Sequence, residues 1–253
     1  MNLTGNTILI TGGGSGIGRG LAEAFHALGN RVIIAGRRKQ ALDETTAANP
    51  GMASMQLDIE DPSAIRAFAA VVAEEFPTLN VLFNNAGIMR AEKLLAQQED
   101  LADAEAIVAT NLLGPIRLTA ALLPLLQKQP AAAIINVTSG LAFVPLVYTP
   151  TYCATKAALH SYTESLRYQL KSTAIEVLEL APPYVATHLM SGAEDPRAMP
   201  LGLFISAVME IFKTQPTPPE ICVENVKGLR FAAVNGRYDA VFNGLNAAMA
   251  DVH

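Results

Sequence analysis

Residues 7–18 read TILITGGGSGIG, a short run of β-branched and apolar residues that is followed by a cluster of glycines. The run at 7–11 predicts a β-strand, and the chain after the glycines has a helical pattern through Leu28. A strand, a glycine turn and a helix in this order form a phosphate-binding unit, because the helix N-terminus offers free N–H groups. The glycines follow the spacing GxxxGxG rather than the commoner GxGxxG. The predicted phosphate contacts are Gly12, Ser15, Gly16, Ile17 and Gly18.

Predicted strands and helices alternate along most of the chain. Further strands are predicted at 31–35, 55–58, 80–83, 131–138 and 175–180, and helices at 39–48, 62–76, 101–127 and 152–171. This pattern predicts one α/β domain over 1–253, a Rossmann-type doubly wound parallel sheet with helices on both faces.

The C-terminal third is less regular. Residues 183–215 are predicted to form a substrate lid, and core packing of the apolar segment 189–212 is the alternative. The sequence TPPE at 217–220 has the spacing of a helix start, so a helical segment is predicted over 218–250. No final β-strand is expected there.

Composition limits the classes of function. The net charge is 18 − 23 = −5, and no long basic run occurs, which argues against a nucleic-acid partner. No signal segment is recognised, and no apolar run approaches about 18 residues, so a membrane span is not expected. Two cysteines, Cys153 and Cys222, fit neither a disulfide framework nor a metal site. These features predict a cytoplasmic protein that binds no metal and acts on a small molecule.

The end of the second strand indicates which nucleotide is bound. About 20 residues beyond the glycines, dinucleotide-binding folds usually place an acid that holds the ribose 2′-hydroxyl. This chain has Gly36 followed by Arg37 and Arg38, and guanidinium groups suit a 2′-phosphate. NADP(H) is therefore predicted over NAD(H), with a solvated helix start as the alternative for the arginines. Asp58 and Ile59 are predicted to meet the adenine, or Asp58 is a loop acid or helix cap.

Three residues further along indicate proton transfer. Tyr152 and Lys156 are four residues apart on a predicted helix, so they share a face, and the ammonium is expected to lower the pKa of the phenol. Ser139 follows an apolar strand and is placed to reach the same pocket. Asn111 is an unfavourable residue for a helix interior. It indicates either a local distortion that frees a carbonyl for a water, or a surface amide.

These residues together resemble the short-chain dehydrogenase/reductase family over about residues 5–190. The resemblance rests on TGGGSGIG at 11–18, NNAG at 84–87, Asn111, Ser139 and YCATK at 152–156. It implies an NAD(P)(H)-binding doubly wound sheet in which Tyr152 is the acid/base and Ser139 polarises the substrate carbonyl. Lys156 would hold the nicotinamide ribose and lower the pKa of Tyr152, while Asn111 would anchor a water.

The resemblance also implies further cofactor contacts. These are Asn85, Ala86 and Gly87 in NNAG, and Pro182, Val185 and Thr187 in APPYVATHL near the nicotinamide. Two departures from the family pattern stand out. Pro183 replaces the usual glycine after Pro182, and no terminal strand or Asp-Gly-Gly turn is found. Since that strand often lies in a tetramer contact, the expectation is a homodimer built on the long helices.

The function predicted is an NADP(H)-dependent carbonyl reductase or alcohol dehydrogenase. Its pocket is expected to be mostly apolar, formed by Phe143, Val144, Tyr148 and the 189–212 segment. One alternative is a non-catalytic nucleotide sensor or regulatory protein, which would tolerate loss of Tyr152 or Lys156. Another is a nucleotide-sugar epimerase or dehydratase, which would need a different glycine spacing and a longer substrate domain.

Overall fold

A computed structural model describes residues 1–96, 100–190 and 195–249. Its centre is a parallel sheet of seven strands in the order β3-β2-β1-β4-β5-β6-β7. The strands are β1 Thr7–Thr11, β2 Arg31–Gly36, β3 Ala53–Gln56, β4 Val81–Asn84, β5 Ala132–Val137, β6 Ile175–Leu180 and β7 Glu220–Ile221. The strand order reverses between β1 and β4, and open α/β sheets bind ligands in the crevice at such a point.

Helices cover both faces of the sheet, as predicted. They are α1 Gly16–Ala27, α2 Lys39–Ala48, α3 Pro62–Glu75, α4 Ala102–Val108, α5 Gly114–Leu126, α6 Pro150–Gln169, α7 Leu201–Phe212, α8 Glu224–Arg230 and α9 Tyr238–Met249. Strand side chains alternate between the two faces. Ile8 and Ile10 join the core of α1, α2 and α7, whereas Leu9 joins that of α3, α5 and α6. The prediction of one Rossmann-type α/β domain is therefore confirmed.

Helix α7 belongs to the core. Phe204, Val208 and Phe212 are fully buried, and the Phe212 ring lies 5.6 Å from that of Phe25. Residues 201–212 of the predicted lid are therefore part of the core, as the core-packing alternative proposed. The chain before it forms an irregular loop in which Val185 pairs with Met199. Residues 191–194 of the predicted lid lie outside the described residues.

The helix predicted at 101–127 is interrupted by a π-helical turn, Ala109–Leu113, between α4 and α5. Asn111 lies in that turn and is completely buried, so the surface-amide alternative is wrong. Together, Ala102–Leu126 are long and apolar enough to cross a membrane by length and composition, contrary to expectation. In the fold the segment packs against α3 and α6, which explains its apolar composition.

The predicted C-terminal helical segment begins differently from expected, because a short strand, β7, lies near its start. Its last part is helix α9, as expected, and residues 222–249 contain no further strand. Strand β7 pairs with β6, with Leu180 in register with Ile221. The TPPE segment does not begin a helix, because it runs along the sheet edge and the Pro219 carbonyl accepts a hydrogen bond from the Glu179 N–H at 2.9 Å. The following helix begins only at Glu224. Residue 250 of the predicted C-terminal segment lies outside the described residues.

Candidate active site

A cleft of about 750 Å³ opens at the carboxyl ends of the central strands. Almost every residue predicted for the site lines it, from the glycine turn at one end to Tyr152 at the other. The predicted residues that line it are Gly12, Ser15, Gly16, Ile17, Gly18, Arg37, Arg38, Ile59, Asn85, Ala86, Gly87, Ser139, Tyr152, Lys156, Pro182, Val185 and Thr187. Asn111 and Asp58 do not line it.

The glycine turn brings backbone to the cleft surface more closely than side chains would permit. Gly16 has φ +53°, a left-handed conformation that favours glycine. A Cβ on Gly18 would lie 2.3 Å from the Gly12 carbonyl oxygen. The first turn of α1 lines the cleft, and its N-cap residue Ser15 makes no side-chain hydrogen bond to the free N–H groups. This cradle fits the phosphates of a nucleotide cofactor.

The two arginines after β2 have different partners. Arg37 Nη1 donates to Glu60 Oε1 at 2.6 Å, and the Thr110 hydroxyl donates to the same oxygen at 2.9 Å. Arg38 Nη2 instead donates to Ser15 Oγ at 2.9 Å, beside the glycine turn. Glu60 was missed by the sequence analysis, because no local spacing relates position 60 to position 37.

Of the two predicted adenine contacts, only Ile59 lies in the cleft. Ile59 is buried and lines the cleft. Asp58 is exposed, and its Oδ1 accepts a hydrogen bond from the Glu60 N–H at 3.0 Å. The loop-acid alternative therefore describes Asp58 in this structure.

The NNAG loop is braced by two buried polar side chains. The Thr11 hydroxyl accepts from the N–H groups of Asn85 and Ala86, each at 3.0 Å. Asn111 Oδ1 accepts from the Ile88 N–H at 2.9 Å, and its Nδ2 donates to the Ile88 carbonyl at 2.8 Å. Asn111 thus supports the cleft by holding the backbone of this loop.

Ser139, Tyr152 and Lys156 come together at the other end of the cleft. Ser139 follows β5, and the other two lie one turn apart on α6. The Ser139 hydroxyl lies near enough to the Tyr152 phenol to lower its pKa. Lys156 is 4% exposed, and its Nζ donates to the Val137 carbonyl at 2.8 Å. The sequence prediction placed these three residues in one pocket, and the structure brings them together.

Burial is the main cause of the pKa shifts of Tyr152 and Lys156. It raises the pKa of Tyr152 to about 12, although the neighbouring Ser139 side chain acts in the opposite direction. Burial also lowers the pKa of Lys156 to about 8. The expectation that Lys156 lowers the pKa of the phenol is therefore wrong for this arrangement. Its Nζ is directed to the Val137 carbonyl and lies 5.6 Å from the centre of the Tyr152 ring.

An apolar wall surrounds the tyrosine, and part of it comes from the C-terminal helix. Tyr152 clusters with Ile107, Leu146 and Met249, and the partly buried Leu245 packs against them. Leu245 and Met249 also line the cleft. The sequence predicts a helical segment over 218–250, but nothing in it connects Leu245 or Met249 with Tyr152.

The pocket residues predicted around position 143 do not line the cleft. The Phe143 ring instead packs edge-on against His160, with centroids 4.9 Å apart. Val144 is completely buried, and Tyr148 packs behind the Tyr152 cluster. In the described parts of the chain, no group of three or more His, Cys, Asp or Glu side chains is arranged to hold a metal ion.

Comparison with known proteins identifies the family. The sequence profile of the family described as short chain dehydrogenase matches residues 6–198. The chain belongs to this family. The resemblance seen in the sequence is thereby confirmed: the chain is a short-chain dehydrogenase, an NAD(P)-binding oxidoreductase.

Individual relatives agree with this assignment. The Bacillus subtilis (strain 168) protein named uncharacterized oxidoreductase DltE is 42% identical over 249 residues, covering 97% of this chain and 98% of its own. A short-chain dehydrogenase from Streptomyces avermitilis has a TM-score of 0.80 at 27% identity, covering 100% and 98% of the two chains. A short chain dehydrogenase from Burkholderia cenocepacia J2315 in complex with NADP has a TM-score of 0.81 at 25% identity, covering 97% and 99%.

Proposed function

We propose that this short-chain dehydrogenase is an NADP(H)-dependent carbonyl reductase, or an alcohol dehydrogenase in the reverse direction, for a small apolar substrate. The observation that carries the proposal is the buried Tyr152 phenol with the Ser139 hydroxyl beside it and Lys156 one helical turn away. All three line one end of a cleft whose other end is a phosphate cradle. A proton donor and a nucleotide site in one cleft match carbonyl reduction by hydride transfer.

The chemistry divides between the cofactor and the chain. When bound, NADPH would supply a hydride to the carbonyl carbon, and in the reverse direction NADP⁺ would accept one from the alcohol carbon. In reduction, Tyr152 gives its phenolic proton to the carbonyl oxygen. The raised pKa keeps that proton on the phenol at neutral pH. The Ser139 hydroxyl, which accepts from the Leu141 N–H at 3.1 Å, directs its own proton to the same oxygen.

The cofactor would lie along the cleft from the glycine turn to Lys156. The residues proposed to hold it are Gly12, Ser15, Gly16, Ile17 and Gly18 at the phosphates, Ile59 at the adenine, Asn85, Ala86 and Gly87 along the centre, Lys156 at the nicotinamide ribose, and Pro182, Val185 and Thr187 at the nicotinamide.

The preference for NADP(H) rests chiefly on Arg38. In the described part of the chain Arg38 has no carboxylate partner, and it reaches Ser15 beside the cradle. The charge of Arg37 is already paired with Glu60. A 2′-phosphate would therefore meet an uncompensated guanidinium at Arg38, with Arg37 in support.

The substrate class follows from the wall around Tyr152. The side chains of Ile88, Met89, Leu141, Leu146, Leu245 and Met249 leave mostly apolar surface beside the proton donor. Such a surface favours ketones, aldehydes and secondary alcohols with hydrocarbon substituents. No observation favours the alternative of a non-catalytic sensor, since the Ser139, Tyr152 and Lys156 arrangement is intact.

The experiment that tests this function is a panel of carbonyls and alcohols, followed at the nicotinamide absorbance with both cofactors. With apolar carbonyls as substrates, we expect the enzyme to oxidise NADPH faster than NADH. A purified enzyme that binds NADPH but turns over no member of the panel would favour the sensor.

The proposal extends to a homodimer in the cytoplasm. Its support is a stripe on the outer side of α5 in which Ile116 and Leu123 are only half-buried and Ala120 is exposed. Light scattering should give twice the chain mass of 26.8 kDa. Ala120→Glu should return the monomer, and Ala67→Glu on the exposed face of α3 is the matched control. A tetramer, or a dimer that Ala120→Glu leaves intact, would contradict this assembly.

A further inference from the structure

A buried carboxylate lies behind the catalytic residues, and the proposed reaction does not use it. Glu179, in β6, is 1% exposed. Its Oε1 accepts from the Thr138 hydroxyl at 2.6 Å, and its Oε2 accepts from His160 Nδ1 at 2.7 Å. Burying a carboxylate is costly unless it is well bonded. We call these three residues the Thr138–Glu179–His160 triad. Because burying the Glu179 carboxylate is costly, a role for the triad is expected.

The triad joins the two elements that carry the catalytic groups. Thr138 stands between Val137, whose carbonyl accepts from Lys156, and Ser139, which lines the cleft together with Tyr152. His160 lies one turn beyond Lys156 on α6, on the same face of that helix. Glu179 itself does not line the cleft. It thus fastens the end of β5 to α6 from behind the active site.

His160 is closely confined on its other sides. The Phe143 ring packs edge-on against it, and Arg230 lies over that ring, 4.6 Å from its centre. The imidazole Nε2 lies 4.0 Å from the Glu164 carboxylate at the surface. The side chain is 20% exposed, so Nδ1 is held towards Glu179 by packing as well as by the hydrogen bond.

A neutral link between the same two elements already exists nearby. Asn136 Nδ2, in β5, donates to the Thr163 hydroxyl, in α6, at 2.9 Å, and both side chains are completely buried. Stability alone therefore does not require a second, charged link at this junction. The feature that distinguishes the triad is its direct connection to Ser139.

We propose that Glu179 is a positioning residue: through Thr138 and His160 it sets Ser139 in register with Tyr152 and Lys156. The inference rests on the proposed function, since it concerns the geometry of that reaction. Losing the Thr138–Glu179 bond frees the end of β5 to shift. Small displacements of catalytic groups lower turnover strongly while leaving ground-state binding nearly unchanged.

Thr138→Val tests this, since it removes the hydroxyl at nearly constant volume. The expected result is a fall in kcat of about tenfold, with the KM of the carbonyl and the Kd of NADPH within about twofold. Thr163→Val is the matched control, because it removes an equally buried hydroxyl between β5 and α6. It should lose a similar amount of thermal stability and keep its kcat. Equal kcat in the two variants would overturn the inference.

Conservative rescue provides a second comparison. In Glu179→Gln the amide oxygen can still accept from Thr138, and its NH₂ can donate to a neutral His160 ring. Glu179→Ala loses both bonds. Positioning predicts that the glutamine variant keeps most of the turnover that the alanine variant loses. Equal losses in the two variants would overturn it.

A crystal structure of Thr138→Val with NADPH bound gives a readout that does not depend on activity. The inference predicts that the Ser139 hydroxyl moves relative to Tyr152 and Lys156. An unmoved Ser139 would overturn it. Absence of turnover in the unmodified enzyme would instead count against the proposed function, and the crystal structure would still decide the role of Glu179.

Discussion

The two ends of the cleft are built in different ways. The nucleotide end is made of backbone groups and arginines from short stretches of chain, the turn at 12–18 and the residues just after β2. The catalytic end is made of side chains from the segment after β5, from α6 and from α9, which lie up to 110 residues apart, from Ser139 to Met249. This difference implies that binding of the cofactor and the chemical step are separable by mutation.

The largest separation is expected for Tyr152→Phe. Removing the proton donor should lower kcat by about 10²- to 10⁴-fold, because general acid catalysis contributes that much. The Kd of NADPH, measured by its fluorescence, should not change, since the phenyl ring keeps the wall intact. Tyr162→Phe, on the same helix, is the control, since Tyr162 is partly buried against the core of α3, α5 and α6, does not line the cleft and is not needed for proton transfer. Retained turnover in Tyr152→Phe would show that another group supplies the proton.

At the nucleotide end, Arg38→Ala should act on binding alone. Loss of a charge-assisted contact with the 2′-phosphate should weaken NADPH about 10- to 100-fold and leave NADH unchanged. Arg37→Ala should weaken NADPH less, because Glu60 already pairs with that guanidinium. Equilibrium titration with both nucleotides distinguishes the two. A larger effect of Arg37→Ala would place the phosphate at Arg37.

The contrast between local and distant segments also explains which features could be predicted from the sequence. The strand, turn and helix at 7–28, the alternating pattern and the Tyr152–Lys156 pair are local features, and each was predicted. The Glu60–Arg37 pair, strand β7 and the packing of α9 beside Tyr152 depend on contacts between distant segments. The pKa of Tyr152 was misjudged for a related reason. The charge spacing is visible in the sequence, but the burial that outweighs it is not.

A substitution in helix α9 should change substrate choice without changing cofactor binding. Leu245→Ala shortens one side chain of the apolar wall and so enlarges the space beside Tyr152. It should raise kcat/KM for a bulkier ketone relative to a smaller one by roughly tenfold, a typical value for a change of pocket volume. Asn243→Ala, on the exposed side of the same helix, should leave the ratio unchanged. An unchanged ratio in Leu245→Ala would remove α9 from the substrate site.

The smallest effect concerns stability without added cofactor. Burial lowers the pKa of Lys156 from 10.5 to about 8, so between these values the unfolded chain binds the proton more tightly than the folded one. Stability due to this group therefore rises with pH, by roughly 1 kcal/mol between pH 7 and pH 9. Urea unfolding at both pH values should show this gain in the unmodified protein and not in Lys156→Met. An equal pH response in both would assign it to other groups.

The most direct test of the central claim follows the hydride itself. The enzyme is incubated with a reactive carbonyl from the panel and NADPH doubly deuterated at C4 of the nicotinamide, and the alcohol is analysed by mass spectrometry. The account predicts one deuterium at the carbinol carbon with the unmodified enzyme, and with Tyr152→Phe a yield of labelled alcohol lower by the same factor as kcat. Alcohol without deuterium, or equal labelling rates in both proteins, would contradict it.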